Sequence, residues 1–359
     1  MTLAAWLHDL NPFVVRIAGD FGIRWYGLSY VLGFAIAYFA IRLLARRGAT
    51  LLPADRAMDV VIYGALGAFV GGRVGYAVVY QPSLLVEFTP SFPFWGMLAL
   101  NRGGMASHGG MLGVLVAGWI VSRGFKAEDG SRIGASPMLH VLDVFALAAP
   151  FGLFLGRVAN FVNGELLGRV VAQPGEPAPW WSVRFPQELR PEEAQGIEYT
   201  PTQLLEIDRL VGEQMLPGQD YELGVENLII AVQSGAADIA QRVEPLLSAR
   251  HPSQLYQAVA EGVVVAAVVW FIARKRRTPG VISAAFLLTY GLLRIATEFV
   301  RLPDAQLAVQ RPLGLSRGQW LSVVMVAIGL VLAVVCKRGG SKPIGGWAEQ
   351  RDSAEPASG

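Results

Sequence analysis

Seven stretches of mostly apolar residues constrain this chain more than any other feature of its sequence. They cover residues 25–45, 58–80, 104–122, 139–161, 253–273, 280–299 and 320–335. A membrane-spanning helix needs about 20 such residues, because hydrocarbon offers no water to satisfy exposed backbone groups. Charged residues are 16% of the chain, against about 25% in soluble domains. Much of the surface must therefore face lipid. The expected fold class is an all-α polytopic membrane protein with about seven transmembrane helices and a small periplasmic head domain. Residues 92–100 are apolar but too short to span, and read as an interfacial or re-entrant piece.

Lys and Arg set the orientation, since short cytoplasmic loops carry an excess of both. Arg46, Arg47 and Arg56 follow the first span, and Arg123, Lys126 and Arg132 follow the third. Arg274, Lys275, Arg276 and Arg277 follow the fifth, and Lys337, Arg338 and Lys342 follow the seventh. The pattern places the N-terminus outside and the C-terminus in the cytoplasm. The N-terminal residues lack the basic and apolar regions of a signal peptide. Four segments are expected: 1–161 with the first four spans, 162–252 as a periplasmic head, 253–338 with the last three spans, and 339–359 as a disordered tail. In the head, amphipathic helices are expected over 202–215, capped by Thr202, and over 226–243. Cys336, the sole cysteine, excludes an intrachain disulfide and reads as a packing residue. No basic tract with interleaved aromatics suggests nucleic acid.

Ionisable side chains inside the spans are the functional signal. Each costs roughly 2.5–3.5 kcal/mol on insertion scales and is kept where it meets a partner, a cavity or a substrate. Arg73 lies in span two and His108 among glycines at the start of span three. Span four ends with Arg157, Asn160, Asn163, Glu165 and Arg169. Span five carries Gln254, Tyr256 and Glu261 after His251, and span six carries Tyr290, Arg294 and Glu298. The last three are spaced i, i+4, i+8 and share a helix face. Asn163 and Gly164 end the fourth helix, which leaves Glu165 on a loop.

Arginine suits phosphate, because its planar fork makes paired charge-assisted hydrogen bonds and stays protonated in a low dielectric. Arg157 and Arg294, near the outer ends of two spans, can clamp a phospholipid head group. His108 adds a group that exchanges a proton near neutral pH. His8, His140 and His251 are weaker candidates. The glycines around His108, including Gly109, allow close approach of a ligand or of another helix.

The stretch GRVANFVNGELLGR (156–169) resembles the signature of the prolipoprotein diacylglyceryl transferase family. RWYGLSY (24–30), GGRVGY (71–76), GGMASHGGMLG (103–113), HPSQLYQA (251–258) and YGLLRIATEFVR (290–301) resemble it too, in the family's order. The resemblance implies transfer of the sn-1,2-diacylglyceryl group of phosphatidylglycerol to the lipobox cysteine thiol of a prolipoprotein signal peptide. A thioether forms and glycerol phosphate leaves. It implies a bacterial inner membrane and neither metal nor cofactor. By motif position it makes Arg157 and Arg294 the essential arginines. His108, Asn160, Glu165, Gly168, Tyr26, Tyr290 and Glu298 form the supporting polar set, with Gly109 beside the lipid.

A thiol near pKa 8.5 is a poor nucleophile until deprotonated. Proton removal is assigned to His108, with Glu165 or Tyr26 as partner, and stabilisation of the leaving phosphate to the two arginines. The alternatives are a transporter or another phospholipid head-group enzyme. The absence of internal repeats weighs against the first, and the absence of a clustered acidic metal-ligand set against the second.

Overall fold

The computed structural model of the chain describes residues 5–18, 21–90, 92–99, 103–302 and 315–349. It opens with β1 (Trp6–Leu7) and the hairpin of β2 (Phe13–Ala18) and β3 (Phe21–Arg24), followed by α1 (Trp25–Arg46), α2 (Ala57–Val79) and α3 (Ser107–Ser122). A short hairpin, β4 (Phe125–Lys126) and β5 (Arg132–Ile133), leads to α4 (Met138–Asn163). Then come β6 (Val170–Ala172), β7 (Val183–Arg184), α5 (Pro201–Gln214), α6 (Tyr221–Gln233), α7 (Ala237–Val243) and β8 (Ala249–Arg250). The next span is one continuous helix over Ser253–Ala273. It consists of α8 (Ser253–Gln257), a π-helical stretch (Ala258–Val264) and α9 (Val265–Ala273). After β9 (Arg276–Arg277) come α10 (Val281–Glu298), α11 (Arg317–Arg338) and β10 (Ile344–Gly345).

Among the described residues six helices are long and apolar enough to cross a membrane. The seventh expected span, α3, has only 16 residues, or about 24 Å of helix. It begins at Ser107 rather than 104, because Gly103 and Gly104 adopt positive φ of 72° and 85°, which a right-handed helix cannot contain. The chain is thus a multi-pass membrane protein of six full-length apolar helices and one short one.

Two compact units divide the chain, and α1, α4 and α11 contribute residues to both. The unit of residues 34–149, 266–287 and 328–359 is organised by the contact of α2 with α3. Gly67, Gly71 and Gly75 stand one turn apart on α2 and meet Gly109 and Gly113 of α3. A Cβ on Gly113 would lie 1.8 Å from the Gly67 carbonyl oxygen, and one on Gly109 would lie 2.2 Å from that of Gly71. Small residues of this kind let helix backbones touch where lipid gives no hydrophobic drive to association. Gly109 is therefore accounted for by packing. Arg73 is buried beside this contact and serves the fold. Its guanidinium donates to the carbonyls of Gly96 at 2.7 Å, Met97 at 2.9 Å and Gly103 at 2.6 Å. It thereby ties down the segment that presents Phe92, Phe94 and Leu98 outward.

In the same unit Asp143 of α4 caps α10, accepting from the N–H groups of Gly280 and Ser283 at 2.7 Å each. Cys336 is buried and donates to the Pro279 carbonyl at 3.2 Å. The tail departs from the expected disorder. β10 pairs antiparallel with β9, and the Trp347 indole donates to the Trp270 carbonyl at 2.9 Å. The strand pair and the aromatic anchor fix this part of the tail; residues 350–359 lie outside the described residues.

The other unit comprises residues 1–33, 150–265 and 288–327. It holds a four-stranded sheet of order β1-β7-β8-β6 and a helical layer α5–α7. Leu210, Val211, Leu228, Ile229 and Val232 form that layer's core. Thr200, not Thr202, caps α5: Pro201 fits the first helical position, and Thr200 and Gln203 form a reciprocal capping box. The single helix expected over 226–243 is instead α6 and α7, broken where Gly235 takes φ 84°. Beneath the sheet Glu188 and Arg250 are fully buried and paired at 2.6 Å, with Ser248 donating to the same carboxylate.

Gly113→Ala is expected to abolish the α2–α3 contact, since its Cβ has no room. Gly152→Ala, with nothing within 4 Å of its Cβ, is expected to be neutral. Thermal unfolding in detergent checks the pair: a large fall in Tm for the first and less than about 2 °C for the second.

Candidate active site

The end of α4 builds one wall of the site. The helix stops because Gly164 turns to φ 67°, with its N–H on the Phe161 carbonyl at 3.0 Å and that of Glu165 on the Asn160 carbonyl at 3.0 Å. Leu166 follows at φ 56°, a conformation costly for a branched residue. The surroundings enforce it: the Ser253 hydroxyl donates to the Leu166 carbonyl at 3.1 Å, and the Gln254 amide donates to that of Glu165 at 2.6 Å. The turn presents the Glu165 carboxylate to Asn160 and Asn163, whose amides donate to it at 3.1 and 3.2 Å. Gly168 passes so close to His251 that a Cβ would fall 2.1 Å from the His251 carbonyl oxygen. Arg250 donates to the Gly168 carbonyl at 3.2 Å, so the buried ion pair of the sheet also holds this turn.

His8 closes the same helix end. Its Nε2 donates to the Phe161 carbonyl at 2.7 Å, and its ring packs against Trp6, Phe161 and Phe185. Burial pushes its pKa down to about 4. His251 stacks on Trp181 at 5.1 Å between ring centres, and burial, with Arg169 nearby, holds it below the usual histidine range.

The charged centre lies among α4, the π-helical stretch and α10. Glu261 has no solvent exposure, and its two oxygens face two arginines. Arg157 Nε is 3.0 Å from one oxygen and Arg294 Nε is 3.7 Å from the other. Arg294 also donates to Glu298 one turn on. Glu298 takes a hydrogen bond from the Ser316 hydroxyl at 2.9 Å and lies 3.8 Å from Arg301. Tyr290 faces the same set, close to Arg157, Arg294 and Glu261. The side chains of Arg157 and Arg294 keep 18% and 11% exposure, so each is shielded but still reachable. Two guanidiniums from different helices, both shielded and backed by a carboxylate, carry the donors that pair with phosphate esters in general.

The structure thus brings together Arg157, Tyr290, Arg294 and Glu298, with Asn160 and Glu165 at the end of the same α4. Tyr26 lies in the same unit, its ring 5.3 Å from that of Tyr30. His108 and Gly109 belong to the other unit, on the first turn of α3, where His108 is exposed. Glu261 was noted among the ionisable span residues but given no role, and Arg301 and Ser316 were given none either. Glu261 carries the one usable signal, an acidic residue in mid-span. The described residues include no group of three His, Cys, Asp or Glu able to hold a metal ion.

Residues 12–335 match a family model described as prolipoprotein diacylglyceryl transferase. A phosphatidylglycerol–prolipoprotein diacylglyceryl transferase of Bdellovibrio bacteriovorus is 40% identical over 354 residues, covering 95% of this chain and 97% of that protein. Proteins of the same description from Neisseria gonorrhoeae and Ralstonia pickettii are each 36% identical. They cover 90% and 91% of this chain, and 95% and 93% of their own lengths are matched.

Between the unfolded pKa of 6.5 and the folded value of about 4, unfolded His8 takes up a proton that folded His8 refuses. Stability therefore falls as pH is lowered through that window, by about 3 kcal/mol in full. His8→Phe is expected to remove this slope, at the cost of one of the two hydrogen bonds to the Phe161 carbonyl. Tm in detergent at pH 7 and pH 4.5 checks it; an unchanged difference in the variant contradicts it.

Proposed function

The chain belongs to the prolipoprotein diacylglyceryl transferase family, and from that membership we infer that Arg157 and Arg294 hold the phosphate of phosphatidylglycerol while a prolipoprotein thiol attacks the adjoining glycerol carbon. The activity is transfer of the diacylglyceryl group from phosphatidylglycerol to a prolipoprotein, a step of lipoprotein maturation. The acceptor is the lipobox cysteine of the signal peptide. A carbon–sulfur bond forms at the glycerol carbon that bears the phosphate. The carbon–oxygen bond breaks, and its electron pair leaves with glycerol phosphate.

One observation carries this reading: two arginines from different helices converge on a single buried carboxylate. Preorganised cations aimed at developing charge lower a barrier most where water is excluded. As the ester oxygen leaves, its phosphate gains negative charge beside groups that need no reorganisation. The thiol proton is taken by a general base, a role that the family resemblance gives to His108, directly or through water, with Glu165 or Tyr26 as its partner. Asn160 and Asn163 orient Glu165, while Tyr290 and Glu298 brace the arginines. Gly168 contributes its missing side chain, which lets the turn seat on His251, and Gly109 lets α3 seat on α2. The thiol comes from the substrate, so no cofactor or catalytic cysteine is needed. The protein sits in the inner membrane of a bacterium, its N-terminus and head segment in the periplasm and its C-terminus in the cytoplasm.

Purified protein in detergent, given phosphatidylglycerol and a lipobox peptide, is expected to release glycerol phosphate only when the peptide keeps its cysteine. Arg157→Gln and Arg294→Gln are each expected to lower kcat/KM by at least ~100-fold, the scale of one lost charge-stabilising donor. Release with a Ser-substituted peptide, or full activity in Arg294→Gln, overturns the reading.

A further inference from the structure

Glu261 is the acidic residue that touches both arginines of the site. The backbone around it is built for that contact. It sits in the π-helical stretch Ala258–Val264, a rare insertion found mostly where a helix serves a functional site. Gly262 follows it, and a Cβ there would meet the Phe154 Cβ at 2.5 Å. The missing side chain lets α4 approach this stretch at the level of Glu261, and Arg157 is one turn beyond Phe154. Glu261 takes each guanidinium at its Nε edge. Arg294 turns a terminal nitrogen to Glu298. Gln257, one turn earlier on the same face, is also fully buried.

The charge of Glu261 has a second consequence. Its carboxylate offsets part of the positive charge that Arg157 and Arg294 present to a bound phosphate. A phosphodiester carries a single negative charge. The leaving phosphomonoester gains a second ionisation near neutral pH, so a carboxylate beside the arginines repels it more strongly than the phosphodiester.

Resting on the transferase reading above, we propose that Glu261 is a positioning residue of the reaction: it aligns Arg157 and Arg294 on the phosphodiester and limits the site's positive charge so that the monoester product leaves. Neutralising it loosens the arginine pair and adds a positive charge that retains product.

The test measures kcat and the inhibition constant of glycerol phosphate for the wild type, Glu261→Gln and Glu261→Asp, with phosphatidylglycerol and a lipobox peptide. For Glu261→Gln, kcat is expected to fall at least ~tenfold and glycerol phosphate to inhibit at ~threefold lower concentration, a split that separates ground-state binding from turnover. Glu261→Asp keeps the charge but shortens the reach. Its kcat is expected to fall at least ~threefold with inhibition unchanged, and this holds the test open if the Gln variant does not fold. Wild-type values of both constants in Glu261→Gln, or wild-type kcat in Glu261→Asp, overturn the inference alone. Equal loss of kcat in both variants with no change in inhibition leaves only a packing role and overturns it too. No transfer by the wild type overturns the transferase reading itself.

Discussion

A carboxylate without solvent exposure, set between two guanidiniums, is the interaction on which this site depends. An unpaired charge inside a low-dielectric interior is prohibitively costly, and removing one partner of a buried pair costs several kcal/mol. Arg157 and Arg294 stand within helices that cross the bilayer, so they persist only because Glu261 and Glu298 balance them. Both guanidiniums keep some exposure, and it is there that the proposed phosphodiester would pair with them. The cost of placing charge at membrane depth and the capacity to bind an anionic lipid are two faces of one arrangement.

The rest of the unit fixes where these groups stand. Glu165 is held by two asparagines, and its turn is held from α8 by Ser253 and Gln254. The turn rests in addition on Arg250, whose own position is set by Glu188. Burial pushes the Glu188 carboxyl up, and Arg250 and Ser248 pull against that shift. Loop residues gain the precision of helix residues this way, through side chains that are themselves paired. In the other unit the same economy appears as backbone contact: glycines replace side chains where α2 meets α3.

Much of this was legible in the sequence because lipid imposes simple rules. Apolar length located the spans to within a few residues, and ionisable residues within them marked Arg157, Tyr290, Arg294 and Glu298. Spacing placed the last three on one face, and the structure gathers them with Arg157. What escaped had local causes. The short α3 followed from two left-handed glycines, at positions where glycine is equally common inside spans. The Thr200 cap was hidden by Pro201, and the break between α6 and α7 by a single glycine. The docking of Trp347 on Trp270 is a tertiary contact that composition does not report. Glu261 was visible as a charge, but its partners were not: the π-helical stretch rotates the helix face, and no periodicity in the residues announces it. His108 stood out among its glycines, yet nothing in the spacing places it relative to the arginines.

Lipid retention tests most directly whether the buried charges exist to hold one anionic head group. Native mass spectrometry of the protein released from mixed micelles of phosphatidylglycerol and phosphatidylcholine would read it for the wild type and for Arg157→Gln/Arg294→Gln. The expected result is selective retention of phosphatidylglycerol by the wild type and loss of that selectivity in the double variant, with its folded mass intact. Equal retention of the two lipids by the wild type, or undiminished selectivity in the double variant, would contradict it.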